Sequence, residues 1–359
     1  MRADVLLVSL GGTAGLREAD AALAGSLRRA GAEVVEALAE RPREWRTYGL
    51  LELAWARAAR AAAAAAIGEH RPRAVLYSST TAALLGPRPG AIRFDAPAAG
   101  NRPGRHGIWQ RPVERRRFRD AALLVPWSEG GLAEAPRPHA DAVVVPVPVA
   151  PSGPAGTRDI AAITYGANPS KKGLDRVLAA WEAARRDGEE LVVTGLDEDG
   201  WRRAKMTAAG GGAGRGPSGA TPGGGTSGGG PSSGGSYGGA PEGVRFAGML
   251  SRSDYRALLR RARVFVCAPR REDYGIAQLE ALADGCRLVT TPSPGPYAAL
   301  PLARELDSRL VGGIAEGIRT ALDDPSPGYA DRAAELLAPW RPDAVDAVVR
   351  EQLLPRLVG

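Results

Sequence analysis

VRFAGMLSRSDYRALLRRARVFVCAPRREDYGIAQLEALADGCRLVTT, running from Val244 to Thr291, alternates two hydrophobic periods. The apolar runs Val244–Ala247, Val264–Cys267 and Arg287–Thr290 predict buried strands. The segments between them, Ser251–Arg261 and Gly275–Asp284, predict helices. Strands joined by helices in unbroken order are the signature of a parallel sheet, because parallel neighbours need a crossover.

The pattern extends outward in both directions. Strands are expected at Ile160–Tyr165 and Glu190–Thr194, and helices at Lys172–Arg186 and Ile314–Leu322. The amino-terminal half repeats the alternation, with strands at Asp4–Leu10, Glu33–Ala37, Ala74–Tyr77, Ala91–Phe94, Leu123–Pro126 and Ala142–Val147. Its helices fall at Arg17–Ala30, Tyr48–Ile67 and Pro112–Arg119. VPVAPSGPAGT, from Val147 to Thr157, breaks the alternation with proline and glycine and reads as an interdomain linker. The expected organisation is one doubly wound α/β domain over 1–150, a linker over 151–157 and a second such domain over 158–340. A last helix follows, Asp343–Leu354. Between Gly210 and Gly239, 16 of 30 residues are glycine, so a disordered insertion is expected over about 209–241.

Composition sets limits on function. The 359 residues are 44% hydrophobic and 24% charged, the profile of a folded globular chain. Two cysteines, Cys267 and Cys286, form no C-x-x-C pair, which argues against a disulfide scaffold or structural zinc. Asp4 interrupts what would be a leader's apolar run, and no stretch of about 18 apolar residues occurs. The expected location is cytoplasmic. The net charge of +7 comes from 44 arginines beside three lysines, a bias that fits a GC-rich genome better than a nucleic-acid surface. Seven arginines fall between Arg102 and Arg119, with Trp109 and Phe118 interleaved. That segment is either a solvated arginine-rich helix or a peripheral contact with the inner face of a membrane.

Three groups carry chemistry. Glu272 lies in the loop after a strand, and Glu280 lies eight positions on, at the edge of the stripe Ile276, Leu279, Leu282, Ala283. A carboxylate there can accept hydrogen bonds from vicinal hydroxyls, or it can be a solvated flank. Gly275 allows close backbone approach, and the N–H groups of the first helical turn suit a phosphate. Lys171 and Lys172 stand in the expected first turn after a strand, where cations oppose the helix dipole by roughly 0.3–1 kcal/mol each. A bound anion would reverse that cost.

Taken together, these motifs resemble the donor-binding half of the retaining glycosyltransferases of family 4, the group 1 type. That family has the GT-B fold of two Rossmann-like domains facing across a cleft. Its Glu-Gly-Phe-Gly and Leu-Glu-Ala-Met-Ala-x-Gly are matched by Glu272-Asp273-Tyr274-Gly275 and Leu279-Glu280-Ala281-Leu282-Ala283-Asp284-Gly285. Its Lys-Gly is matched by Lys172-Gly173, and the likeness covers about residues 159–323.

The resemblance implies that Glu272 contacts the transferred sugar and that Glu280 holds the ribose. The backbone at Gly275 and Ile276 would then lie against sugar and phosphate, and Lys172 would neutralise the diphosphate. Gly12 would approach from the first domain, which would bind the acceptor while the last helix, about 341–359, crosses back onto it. The family's arginine, five or six positions before the lysine, falls on Gly166 and Ala167, leaving Lys171, Arg270 or Arg271 as alternative substitutes. Its His-Asp falls on Phe94-Asp95. The implied activity is transfer of a sugar from a nucleoside-diphosphate sugar to a hydroxyl of a glycan, lipid or small molecule. It proceeds with retention, with the nucleotide sugar as co-substrate and with no metal, other cofactor or nucleic acid. Two alternatives share the fold: a non-catalytic nucleotide-sugar-binding or partner protein, and a nucleotide-sugar 2-epimerase.

Overall fold

A computed structural model describes residues 3–43, 45, 47–102, 104–154, 156–209 and 240–359. The glycine-rich stretch expected to be disordered lies almost wholly outside them. Among the described residues, ten strands form two parallel sheets. The first comprises β1 (Val5–Ser9), β2 (Val34–Leu38), β3 (Ala74–Tyr77), β4 (Ala91–Phe94) and β5 (Leu123–Pro126), in the order β2-β1-β3-β4-β5. The second comprises β6 (Ile160–Tyr165), β7 (Leu191–Thr194), β8 (Val244–Gly248), β9 (Ala262–Val266) and β10 (Arg287–Val289), in the order β10-β9-β6-β7-β8.

Side-chain alternation along β1 shows why both faces are covered. Val5 and Leu7 point to one side and meet Leu23 and Leu27 of helix Ala14–Arg29. Leu6 and Val8 point to the other and meet Ala59 and Ala63 of helix Tyr48–His70. Continuous apolar strands therefore bury two faces at once, as a parallel sheet requires. The carboxyl-terminal segment completes the first face: Val345, Val349 and Leu353 join its core, and Arg29 forks onto Asp346 at 2.6 and 2.8 Å.

Two expected elements differ. Ala142–Val147 is not a strand of the sheet. Its Val143 and Val145 amides donate to the Leu124 and Pro126 carbonyls, but the next amide in that register, Val147, donates to the Tyr274 hydroxyl instead of a strand. The helix expected over Lys172–Arg186 is broken into Pro169–Lys172 and Leu174–Ala184 by Gly173, at φ 64°. A Cβ there would lie 1.9 Å from the Ala268 carbonyl oxygen, so only glycine lets the two backbones meet.

The domains touch through Tyr274. Its ring packs edge-on against Trp127 with centroids 5.2 Å apart, and its hydroxyl accepts from the Val147 amide at 3.1 Å and Trp340 Nε1 at 2.9 Å. The Val149 amide donates to the Trp340 carbonyl at 2.8 Å, so both segments that pass between the domains meet at this tyrosine.

Candidate active site

The carboxyl ends of the strands in both sheets open onto one cleft of about 550 Å³. Ligands of doubly wound sheets bind at such ends, where the loops diverge. Of the residues singled out in the sequence, Gly12, Lys171, Lys172, Glu272, Gly275, Ile276 and Glu280 all line it.

The close approach at Gly173 builds the centre of the site. It lays the Lys171–Lys172 turn over the loop after β9, and the Arg270 amide donates to the Lys171 carbonyl at 2.9 Å. Lys172 Nζ then reaches Glu272 Oε2 at 2.7 Å, and Lys171 Nζ reaches Asp273 Oδ2 at 2.5 Å. Both lysines lie in the single-turn helix Pro169–Lys172, ahead of the amino end of Leu174–Ala184, and each offsets the dipole penalty there by pairing with a carboxylate. Glu272, only 4% exposed, also accepts from Gln278 Nε2 at 3.0 Å. Burial pushes the Asp273 carboxyl up, but Lys171 and Arg271 outweigh it and hold the group below the ordinary range. Across the cleft, burial and then Asp273 push the Asp95 carboxyl up.

Gly275 opens the helix Ile276–Ala283 at φ 92°. A Cβ there would fall 2.9 Å from the Tyr297 ring, so the glycine meets both a conformational and a steric demand. Gly12 meets neither, for the positive φ of the first loop sits at Gly11 (61°) and the nearest side chain to a Gly12 Cβ is Trp55 at 3.9 Å.

Glu280 is buried rather than flanking. Arg252 Nη2 lies 2.6 Å from its Oε1 and Arg256 Nη1 3.5 Å, while Arg256 Nε donates to Asp284 at 2.6 Å. Burial raises its carboxyl above the usual value, the two arginines oppose that rise, and Glu18 of the first domain adds to it. Arg252 also pairs with Glu18 across the cleft. Sequence reasoning missed both arginines, although their spacing of four on helix Arg252–Arg261 places them on one face.

Arg270 and Arg271 are not brought into the cleft. Arg270 forks onto Asp175 at 2.8 and 2.6 Å, and Arg271 bridges Asp273 at 2.7 Å and Glu134 of the first domain at 2.8 Å. Both line a side groove instead. The first domain's wall is built from Ser78, Ser79, Thr80, Thr81, Trp55 and Glu52. There Glu52 accepts from Thr81 at 2.6 Å and from Arg102 at 3.0 Å. Behind this wall Glu114 receives the Ala98 amide on both oxygens, and burial pushes its carboxyl up to about 7. Among the described residues no group of three His, Cys, Asp or Glu could hold a metal ion, and no helix is long and apolar enough to cross a membrane.

Residues 238–333 match the family described as glycosyl transferases group 1. No curated protein matches the chain. Among solved structures, sucrose-phosphate synthase from Thermosynechococcus elongatus aligns at a TM-score of 0.70 and 14% identity, covering 99% of both chains. WaaG, a glycosyltransferase involved in lipopolysaccharide biosynthesis, aligns at 0.67 and 14%, again over 99% of each. HepE of Anabaena, solved with UDP-glucose, aligns at 0.66 and 13%, over 98% of this chain and 99% of that one. At such identities the likeness is one of fold. Residues 238–333 thus match the group 1 glycosyl transferase model, within a chain whose described residues have the GT-B fold of two parallel-sheet α/β domains.

Proposed function

We propose that the chain is a retaining glycosyltransferase that moves a sugar, of hexosyl type, from a nucleoside-diphosphate sugar to an acceptor hydroxyl. The observation that carries this reading is the convergence of Lys172, Glu272 and Glu280 on one cleft, within or beside the segment matching group 1 glycosyl transferases. In this reading the second domain, about 158–340, takes the donor and the first, 1–150, takes the acceptor. The location is cytoplasmic.

Glu280 accepts the ribose hydroxyls, exchanging part of its pairing with Arg252 for them. The Gly275–Ile276 backbone lies against sugar and phosphate, where N–H groups of the first helical turn have no side-chain cap. Negative charge develops on the departing diphosphate, and the Lys172 ammonium, already positioned by Glu272, stabilises it together with Lys171. Fixed cations of this kind replace solvent reorganisation at the moment of bond cleavage. They also make the reaction independent of a metal. Glu272, held by Lys172 and Gln278, faces the transferred sugar.

Calorimetric titration of UDP, GDP, ADP and dTDP into the wild type and Glu280→Ala tests the donor site. One diphosphate is expected to bind and to lose about tenfold in affinity in the variant, the worth of roughly 1.4 kcal/mol. Failure of all four to bind folded protein would refute the reading. The departures at Gly166, Ala167 and Phe94 favour a second reading, a nucleotide-sugar-binding protein without turnover. Donor hydrolysis that disappears in Glu272→Ala excludes it, and epimerisation of a UDP-sugar without acceptor would instead identify an epimerase.

A further inference from the structure

A groove of about 310 Å³ leaves the main cleft beside Asp273. Asn101, Arg102, Lys171 and Asp273 line both spaces, so the two are continuous. Four cations line the groove, Arg102, Lys171, Arg270 and Arg271, against the single acid Asp273. Their other carboxylate partners, Glu52, Asp175 and Glu134, are not part of the groove's lining. Asp273 spends both oxygens on Lys171 and Arg271. Lys171 gives Asp273 one of its three ammonium protons, and Arg271 engages through Nε and Nη2, which leaves Nη1 for another acceptor. The groove's surface is therefore rich in N–H donors, and Asn168 and Ser170 add neutral polar groups. Arg102 comes from the first domain and the other three cations from the second, so the groove is complete only where the domains face each other.

Neither Lys172, Glu272 nor Glu280 reaches this groove, and neither Arg270 nor Arg271 lines the main cleft. A diphosphate beside Lys172 and an anion beside Arg270 would occupy separate spaces. Arg270 Nη1 and Nη2 are engaged by Ser170 and Asp175, so a phosphate would draw on the remaining charged N–H groups of Arg270, Arg271 and Lys171, or exchange for Asp175.

Resting on the glycosyltransferase reading above, we infer that this groove takes the anionic end of the acceptor, a phosphate monoester, while the acceptor's hydroxyl lies in the main cleft. The monoester is carried either by a soluble sugar phosphate or by a lipid headgroup at a membrane surface.

The test titrates hexoses, hexose 6-phosphates and inorganic phosphate into the full chain, and sediments it with phosphatidylcholine vesicles with or without phosphatidic acid. Each arm is repeated with Arg270→Gln and Arg270→Lys, each checked for wild-type folding by circular dichroism; Arg270 is exposed, pairs with Asp175 and donates to the Ser170 carbonyl. Hexose 6-phosphates that bind where hexoses do not, about tenfold more weakly in Arg270→Gln and partly restored in Arg270→Lys, support the groove with a soluble acceptor. Binding confined to phosphatidic acid vesicles and lost in Arg270→Gln supports it with a lipid one. No binding in either arm, or binding indifferent to Arg270→Gln, overturns the inference. The nucleoside-diphosphate titration, run on the same variants, is expected to be unchanged, so failure of the donor site is read separately.

Discussion

On the second domain's side of the cleft, Lys171, Lys172 and Arg252 each hold a carboxylate at 2.5, 2.7 and 2.6 Å. The first domain's side instead offers serine and threonine hydroxyls, Trp55, the Glu52–Arg102 pair and Glu18, with burial raising the carboxyls of Asp95 in the cleft and Glu114 behind it. The difference has a consequence for binding. On the charged wall an anion competes with a carboxylate already in place, so its affinity is the difference between two ion pairs. On the hydroxylated wall a ligand's hydroxyls find both donors and acceptors beside the paired Glu52 and Arg102. One wall is suited to a diphosphate and the other to a neutral polyol.

The strongest way to break this contrast is at the charged wall. Glu272→Gln keeps an oxygen to receive Lys172 and Gln278 but removes the charge. Turnover is expected to fall about 100- to 1000-fold, the range for losing one preorganised electrostatic partner, while diphosphate affinity holds or rises because the anion no longer competes with a carboxylate for Lys172. Wild-type turnover in this variant would separate the paired carboxylates from the chemistry.

How far this wall was readable in the sequence follows from how it is assembled. Lys172-Gly173 and the run from Glu272 to Glu280 are short, contiguous motifs, so their residues could be assigned before their positions were known. The β-type runs were equally legible, since strands buried on both faces must be apolar throughout. What was not legible depends on contacts between distant segments. Arg252, Arg256 and Glu18 converge on Glu280 from a different helix and a different domain. The break at Gly173 is dictated by the Ala268 carbonyl, far along the chain. Arg270 and Arg271 stand two and one residues before Glu272, yet loop geometry turns them into the neighbouring groove.

Behind the first domain's wall the effect to look for is one of pH. Burial raises the Glu114 carboxyl from 4.5 to about 7, so the folded chain binds this proton more tightly than the unfolded chain. Stability contributed by the protonated group is fully present below about pH 4.5 and is lost as pH rises through about 7. The shift corresponds to about 3 kcal/mol, at 1.36 kcal/mol per pH unit. Denaturant unfolding of the wild type at pH 5 and pH 8 is expected to show that loss, relative to Glu114→Gln, which still offers an oxygen to the Ala98 amide. Parallel pH profiles for the two proteins would show that Glu114 is charged when folded and that this wall is less apolar than its burial indicates.

The smallest expected effect lies where the walls are joined. The resembling family places phenylalanine where this chain has Tyr274, so the hydroxyl is what is particular here, and it receives one N–H from each segment that passes between the domains. Tyr274→Phe preserves the ring against Trp127 but leaves the Val147 amide and Trp340 Nε1 without their acceptor. An unsatisfied buried donor costs about 1–3 kcal/mol, and denaturant unfolding should register a loss in that range. Trp340→Phe removes one of the same two bonds, so the double variant should lose less than the sum of the singles, with a coupling of about 0.5 kcal/mol or more. Additive losses would mean that the tyrosine hydroxyl does not tie the returning segment to the donor loop. In that case the two walls would be held by Arg271–Glu134 and Arg252–Glu18, exposed or half-exposed ion pairs that salt can screen, and the joint should loosen with ionic strength as the Tyr274 contact should not.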